Sequence, residues 1–248
     1  MSQRDIEKRL EASVRRSYYK RWFQRPWGRL VLFGGILVAI FVAYYVYLTA
    51  QYYHDLTTFD FQKPIAELLK DETFKKLVTA DDPAKGNPEA KVFIVEFADY
   101  QCPFCKQAEP ILQQVMKKYG DKVYFMLRDY PITSTHPEAL AAAEAANCAG
   151  EQDQYWEYHD QLFARQDELS SATFRSIAEA LGLDMPKFNV CLNTHATQAE
   201  IQADAADGAN LGVNGTPTFF INGQMFPGVL KYDFWDKVLT FLLSDNSQ

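Results

Sequence analysis

Between Leu30 and Tyr53 the chain runs 24 positions without a charged side chain, and the segment LVLFGGILVAIFVAYYVYLTA over 30–50 is apolar nearly throughout. Few folded states are open to such a run. About 20 helical residues cross the hydrocarbon core of a bilayer, and in lipid a helix satisfies its own backbone hydrogen bonds. Trp22 and Trp27 on one side, and Tyr44, Tyr45, Tyr47, Tyr52 and Tyr53 on the other, sit where interfacial aromatic residues are expected. The run therefore predicts a single transmembrane helix over 30–50, with a buried core helix as the alternative. Residues 1–29 hold nine Lys/Arg, whereas only Lys63 and Lys70 lie in the 20 residues after Ala50. That asymmetry predicts an N-terminus on the cytoplasmic side of the inner membrane and a body on the extracytoplasmic, periplasmic side. Leu48-Thr49-Ala50 faintly resembles a signal cleavage site, but the basic segment and the apolar stretch are both longer than those of a signal peptide.

The net charge of -7 conceals a division between a basic head, +6 over residues 1–29, and an acidic remainder of -13. An acidic body disfavours nucleic acid as a partner, because affinity for phosphate backbones comes from Lys and Arg. At 248 residues and 48% hydrophobic, the chain has material for a sizeable core, and four cysteines are too few for a disulfide-stapled scaffold. Residues 51–76 read as a spacer in which Pro64 opens a short stalk helix with Ile65, Leu68, Leu69 and Leu77 near helical spacing. Asp81-Asp82-Pro83 and Gly86-Asn87-Pro88 are turn chemistry, so the globular domain is expected to span 77–248.

Val92-Phe93-Ile94-Val95-Glu96-Phe97 is rich in β-branched and aromatic residues and predicts a buried strand. After four loop residues comes Cys102-Pro103-Phe104-Cys105, followed by Ala108, Ile111, Leu112, Val115, Met116 and Tyr119 at helical spacing. The pair thus falls where a strand passes into a helix, and Pro103 suits a first turn whose N–H groups have no helical partner. Those N–H groups and the helix dipole favour negative charge, so Cys102 is expected to be an exposed sulfur with a lowered thiolate pKa, and Cys105 a shielded one. A structural disulfide, or half of a zinc site, is the alternative. Cys148 and Cys191 do not complete a second C-x-x-C.

Glu96-Phe97-Ala98-Asp99-Tyr100-Gln101-Cys102-Pro103-Phe104-Cys105, with Val213-Asn214-Gly215-Thr216-Pro217-Thr218-Phe219-Phe220 downstream, resembles the DsbA-like thiol:disulfide oxidoreductases of the thioredoxin superfamily. The resemblance covers about 77–243. It implies an α/β thioredoxin-like fold with an inserted helical domain, here preceded by the transmembrane helix. By the same resemblance Cys102 is the nucleophile and Cys105 the resolving thiol. Pro217 is a cis-proline facing them with Thr216 before it, and Pro103, Phe104, Thr216 and Pro217 contact substrate. Glu96 matches a buried acid that relays protons to the resolving cysteine; on the residues alone, it is equally an acid at an exposed strand edge. Pro110 matches a helix-bending proline.

After Pro131 the pattern turns helical through Pro137 to Ala149, Gln152 to Arg165, Ala172 to Leu181 and Thr197 to Leu211, which places the insertion at about 132–212. Tyr155-Trp156-Glu157-Tyr158-His159-Asp160-Gln161-Leu162-Phe163 resembles the same family's insert. Thr218 to Ile221 and Gln224 to Phe226 flank the hairpin signal Asn222-Gly223, and Tyr232 to Leu243 closes as a helix. Cys148 and Cys191 are expected to form a structural disulfide closing a 44-residue loop, the alternative being two buried thiols. His54, His136, His159 and His195 lack paired ligand spacing, so surface or capping roles are expected, with no metal. No phosphate-cradling loop is present, and no cofactor is expected.

These readings predict an oxidase that gives its disulfide to exported proteins carrying cysteines and is reoxidised by a membrane partner, a quinone-linked reoxidase of DsbB type or an equivalent. A disulfide isomerase or reductase, for instance in cytochrome maturation, and a tethered non-enzymatic chaperone are the other two readings. Phe104 offers no polar group to the thiolate, which predicts a milder oxidant than family members with His between the cysteines.

Overall fold

The computed structural model describes residues 26–58, 77–79 and 82–244. The chain divides into two units, Met1–Phe59 and Asp60–Gln248. In the first, one helix, α1, runs Pro26–Thr58. Among its described apolar side chains, Leu37, Val38, Ile40 and Phe41 are each more than half exposed. Among the described residues no helix is long and apolar enough to cross a membrane. The run expected to span the bilayer is helical, but its first residues lie outside the described side chains. Most of the expected spacer, with its stalk helix at Pro64, also lies outside the described residues.

The second unit is built on a five-stranded sheet ordered β1-β3-β2-β4-β5. These strands are β1 Ala84–Gly86, β2 Val92–Ala98, β3 Val123–Asp129, β4 Thr218–Ile221 and β5 Gln224–Pro227. All seven residues of β2 are buried, as befits a central strand that is apolar except for Glu96. It pairs in parallel with β3, from Val92↔Val123 to Ala98↔Asp129. The crossover between them is helix α2, Pro103–Tyr119. On its other side β2 pairs antiparallel with β4, Glu96 opposite Phe219. β4 returns as β5 through Asn222 and Gly223, both at positive φ (47° and 87°), the turn that suits the twist of a hairpin. Asn222 also fixes the hairpin to β2, since its side-chain oxygen accepts from the Phe93 N–H at 2.8 Å.

Alternation along β2 gives the sheet two different faces. Phe93, Val95 and Phe97 join Leu77, Met126, Val213 and Phe220 in one core cluster. The opposite face carries Glu96 and Phe219, and Phe219 meets Trp235 edge-on at 5.1 Å. Trp235 belongs to the closing helix α8, Tyr232–Leu243, which packs against α2. Glu96 thus lies on the face covered by the helix that carries the cysteine pair.

Between β3 and β4 lie α3 Ala139–Gly150, α4 Tyr155–Ala164, a 3-10 turn Gln166–Glu168, α5 Ser171–Ala180, α6 Met185–Asn193 and α7 Gln198–Asn210. Helix α6 carries Cys191 and opens with Pro186 in its first turn. Two strands went unread. β3 begins as a continuous apolar run with no alternation, and β1 is three residues beside turn-forming Gly86 and Pro88. Helix α7 lies close on the sheet: a Cβ at Gly208 would come within 2.9 Å of the Phe97 and Tyr130 rings. Arg128 of β3, 1% exposed, faces Asp82 at 3.2 Å and hydrogen-bonds Asp204 of α7, tying insertion to sheet.

Cys148 of α3 and Cys191 of α6 are bonded, with Cα atoms 5.8 Å apart across 43 residues of sequence. Closing a loop of that length removes unfolded-state entropy. Replacing both cysteines with alanine should lower the unfolding free energy by about 2–4 kcal/mol, read from the denaturant midpoint under oxidising conditions. An unchanged midpoint would show that the cross-link holds nothing together.

Candidate active site

The loop from β2 into α2 is shaped by Asp99, which is 1% exposed. Its carboxylate accepts from the Gln101 N–H at 2.7 Å and the Ile132 N–H at 2.8 Å, and lies 2.7 Å from His136 Nδ1. Its carbonyl accepts from the Cys102 N–H at 3.0 Å. Cys102 is thereby held extended, φ -72° and ψ 123°, as the N-cap of α2, and Pro103 opens the helix. From the insertion, the Gln166 amide donates to the Tyr100 and Cys102 carbonyls at 2.8 and 2.9 Å. Lys106 and Asp167 add an ion pair at 2.7 Å close by.

Across from the pair, the Thr216-Pro217 peptide is cis. The Cys102 thiol donates to the Thr216 carbonyl at 3.3 Å. An ionised sulfur accepts instead of donating. The Thr216 hydroxyl, buried and otherwise without a partner, is then the donor on that side. The Cys105 thiol is the largest influence on Cys102. With Thr216 and the backbone N–H groups of Cys105 and Phe104 it outweighs burial and pulls the Cys102 thiol down to about 5. Cys105 moves the other way: burial, its bond to Cys102 and the charge of Glu96 push it well up. One sulfur is ready to attack or leave as an anion, while the other keeps its proton.

Cys102 is not the exposed sulfur the sequence predicts. It is 4% exposed and Cys105 1%. The Thr216-Pro217 loop and the Gln166 turn cover it, both more than 60 residues distant in sequence. Pro103 and Phe104 are exposed beside it, Phe104 at 59%, whereas Thr216 and Pro217 are buried.

Glu96 is 3% exposed, so the exposed-edge reading of this acid is set aside. Burial and then the Glu109 charge push its carboxyl well above the ordinary range, with Lys85 opposing. His159 is 2% exposed, in place of the surface or capping role expected of it, and it gathers with Glu109 and Asp160. Asp82, Glu200 and Asp204 form a second acidic group, where Arg128 already supplies positive charge. Asp99 had a local signal, an Asx turn two residues before a helix start. Gln166 had none, because its partners come from tertiary folding alone.

Comparison with known proteins agrees with this geometry. Residues 78–240 match the family model described as Thioredoxin. The structure superposes on a thioredoxin-like oxidoreductase from Silicibacter pomeroyi at 28% identity and a TM-score of 0.58, covering 66% of this chain and 92% of that one. It superposes on the thiol-disulfide exchange protein alpha-DsbA2 from Wolbachia pipientis at 25% identity and a TM-score of 0.63, covering 72% and 95%. A stretch of 148 residues is 44% identical to a Na(+)/H(+) antiporter NhaA 3 of Salinispora tropica, taking in 59% of this chain and 22% of that protein. The chain spans less than a quarter of the length of such curated relatives. Their name describes a far longer protein. By the extent of the family match, this chain belongs to the thioredoxin family.

Proposed function

We propose that the protein is a membrane-tethered, extracytoplasmic oxidase that passes a Cys102–Cys105 disulfide to exported proteins as they fold. The observation that carries this reading is the opposition between the two sulfurs, Cys102 pulled down to about 5 and Cys105 pushed well up. Stabilising the Cys102 thiolate lowers the free energy of the reduced protein, which makes its disulfide the stronger oxidant. A substrate thiolate attacks Cys102 Sγ, the bond to Cys105 breaks, and Cys105 leaves with the electron pair and takes a proton, which we assign to Glu96. A second substrate thiolate then attacks the substrate sulfur of the mixed disulfide, and Cys102 leaves as a thiolate. Two electrons have passed to the protein, and a membrane reoxidase of quinone-linked DsbB type or an equivalent removes them.

The uncharged run over 30–50 and the exposed apolar side chains of α1 support the tether. Exposed Phe104, Pro103 and the buried Thr216-Pro217 edge are the surfaces we assign to substrate. Phe104 also supports a second reading, reductase or isomerase, because its side chain gives the thiolate no hydrogen bond. Equilibration of the full chain with glutathione separates the two: an oxidase holds a potential well above the roughly -270 mV of a thioredoxin-type reductase. A potential at or below that value would overturn the oxidase reading. In the Cys105→Ala chain, mixed disulfides with exported proteins should accumulate on Cys102, and their absence would count equally against it.

Glu96 gives a second test. Its folded carboxyl holds a proton more tightly than the unfolded chain does, so stability is lost as pH rises above the unfolded value. Glu96→Gln should gain stability over wild type progressively as pH rises, while slowing the step that protonates Cys105 by about a hundredfold. Parallel stability profiles together with an unchanged rate would remove Glu96 from the mechanism.

A further inference from the structure

A buried resolving thiol that gains and loses a proton in each cycle needs a way for that proton to reach water, and neither Cys105 nor Glu96 touches solvent appreciably. Glu109 lies one helical turn beyond Cys105 on the same buried face of α2. Its charge is felt at Glu96 across the gap to the sheet. Beyond Glu109 stands His159 of α4, with Nε2 3.8 Å from Glu109 Oε2 and Nδ1 3.1 Å from Asp160 Oδ1. The His159 and Glu109 side chains are 2% and 11% exposed, whereas that of Asp160 is 52% exposed. The series thus stays buried from Cys105 through His159 and reaches solvent only at Asp160.

The two carboxylates approach opposite nitrogens of one imidazole. One ligand atom from each of the three residues lies within 4.8 Å of the others, but a cation would take only one ring nitrogen, and this arrangement engages both. It does suit proton transfer, because imidazole takes a proton on one nitrogen while giving one from the other. The 3.8 Å gap exceeds a hydrogen bond and is the span of a small side-chain shift or one bridging water. The ring is clamped by Tyr100 at 5.6 Å, Trp156 at 5.2 Å and Phe163 at 5.0 Å, with Tyr155 at 6.3 Å. Other charged groups near the path are Lys85, whose field reaches Glu96 and Asp160 and which stands 3.9 Å over the Trp156 ring, and Asp129, whose field reaches Tyr100.

The geometry points to His159, bridging Glu109 and Asp160, as the relay that carries the Cys105 proton between the buried site and solvent. The inference rests on the exchange function proposed above. In reoxidation by glutathione disulfide, Cys102 thiolate attacks first, releasing one glutathione and leaving a Cys102–glutathione mixed disulfide. Cys105 then gives its proton to Glu96, and the proton passes through Glu109 and His159 to Asp160 and water. The Cys105 sulfur attacks Cys102 Sγ, the bond to glutathione breaks, and glutathione leaves with the electron pair. Substrate oxidation runs the same proton inward to the departing Cys105.

A relay alters a rate and leaves equilibria alone. Reduced full-length chain should be mixed with glutathione disulfide and both phases followed as a function of pH, in wild type, in His159→Phe, which keeps an aromatic ring in the clamp, and in exposed Asp160→Asn. In His159→Phe the first phase should be unchanged and the second slowed by about tenfold or more at neutral pH, the deficit shrinking as pH rises. Asp160→Asn should show a smaller slowing of the same phase. The Cys102 titration and the equilibrium with glutathione should be the same in all three. Wild-type rates and pH profiles in both variants would overturn the relay while leaving the exchange function standing. Slowing of both phases, or a moved glutathione equilibrium, would make His159 structural and overturn it as well. Wild type that forms no mixed disulfide would overturn the function itself and the relay with it.

Discussion

The chemistry of this protein depends on the first turn of one helix. Helical backbone bonding leaves the opening N–H groups of α2 without partners, and Cys102 occupies the N-cap with no side-chain oxygen to satisfy them. A sulfur anion can do what a serine or aspartate cap does elsewhere, accepting from the Phe104 and Cys105 N–H groups. The same burial that would suppress a charge on Cys102 prevails on Cys105, one turn further in, where the Glu96 charge reinforces it and only a backbone hydrogen bond at Asp99 opposes. Two chemically identical side chains thus part company because one faces the open end of a helix and the other its buried flank.

The rest of the fold holds that turn in place from three directions. Asp99 shapes the approach from β2, Thr216 and cis-Pro217 close over the sulfur from the strand beyond, and Gln166 reaches in from the insertion to hold the Cys102 carbonyl. The insertion is itself secured to the sheet through Arg128 and Asp204, and internally through Cys148–Cys191. Displacing any of these would move the donors relative to the sulfur by fractions of an ångström, and hydrogen bonds to a charged group weaken steeply with such shifts. The helical insertion therefore supports the site as well as enlarging the domain.

Much of this was legible locally. The β2 strand, the Asn222-Gly223 hairpin and the closing helix follow from residue type and spacing, and the strand-to-helix setting of the cysteines follows from their neighbours. β3 was hidden because its unbroken apolar run carries no period and ends at a proline-containing loop. The burial of Cys102 could not be read at all, since it is conferred by residues 216–217 and 166. His159 looked isolated for the same reason: its partner Glu109 sits 50 positions away on another helix. Sequence periodicity reports which face of an element is apolar, but the company a polar group keeps inside the fold is decided by packing between elements.

The most direct test of this account is a pH titration of the reduced chain, following thiolate absorbance in the ultraviolet. Cys105 stays protonated through the acid range, so one sulfur is observed. The account predicts a single thiolate appearing with its midpoint near about 5. A midpoint at the ordinary thiol value of 9.0 would mean that the open helix end does not hold the charge, and the oxidising chemistry would lose its physical basis.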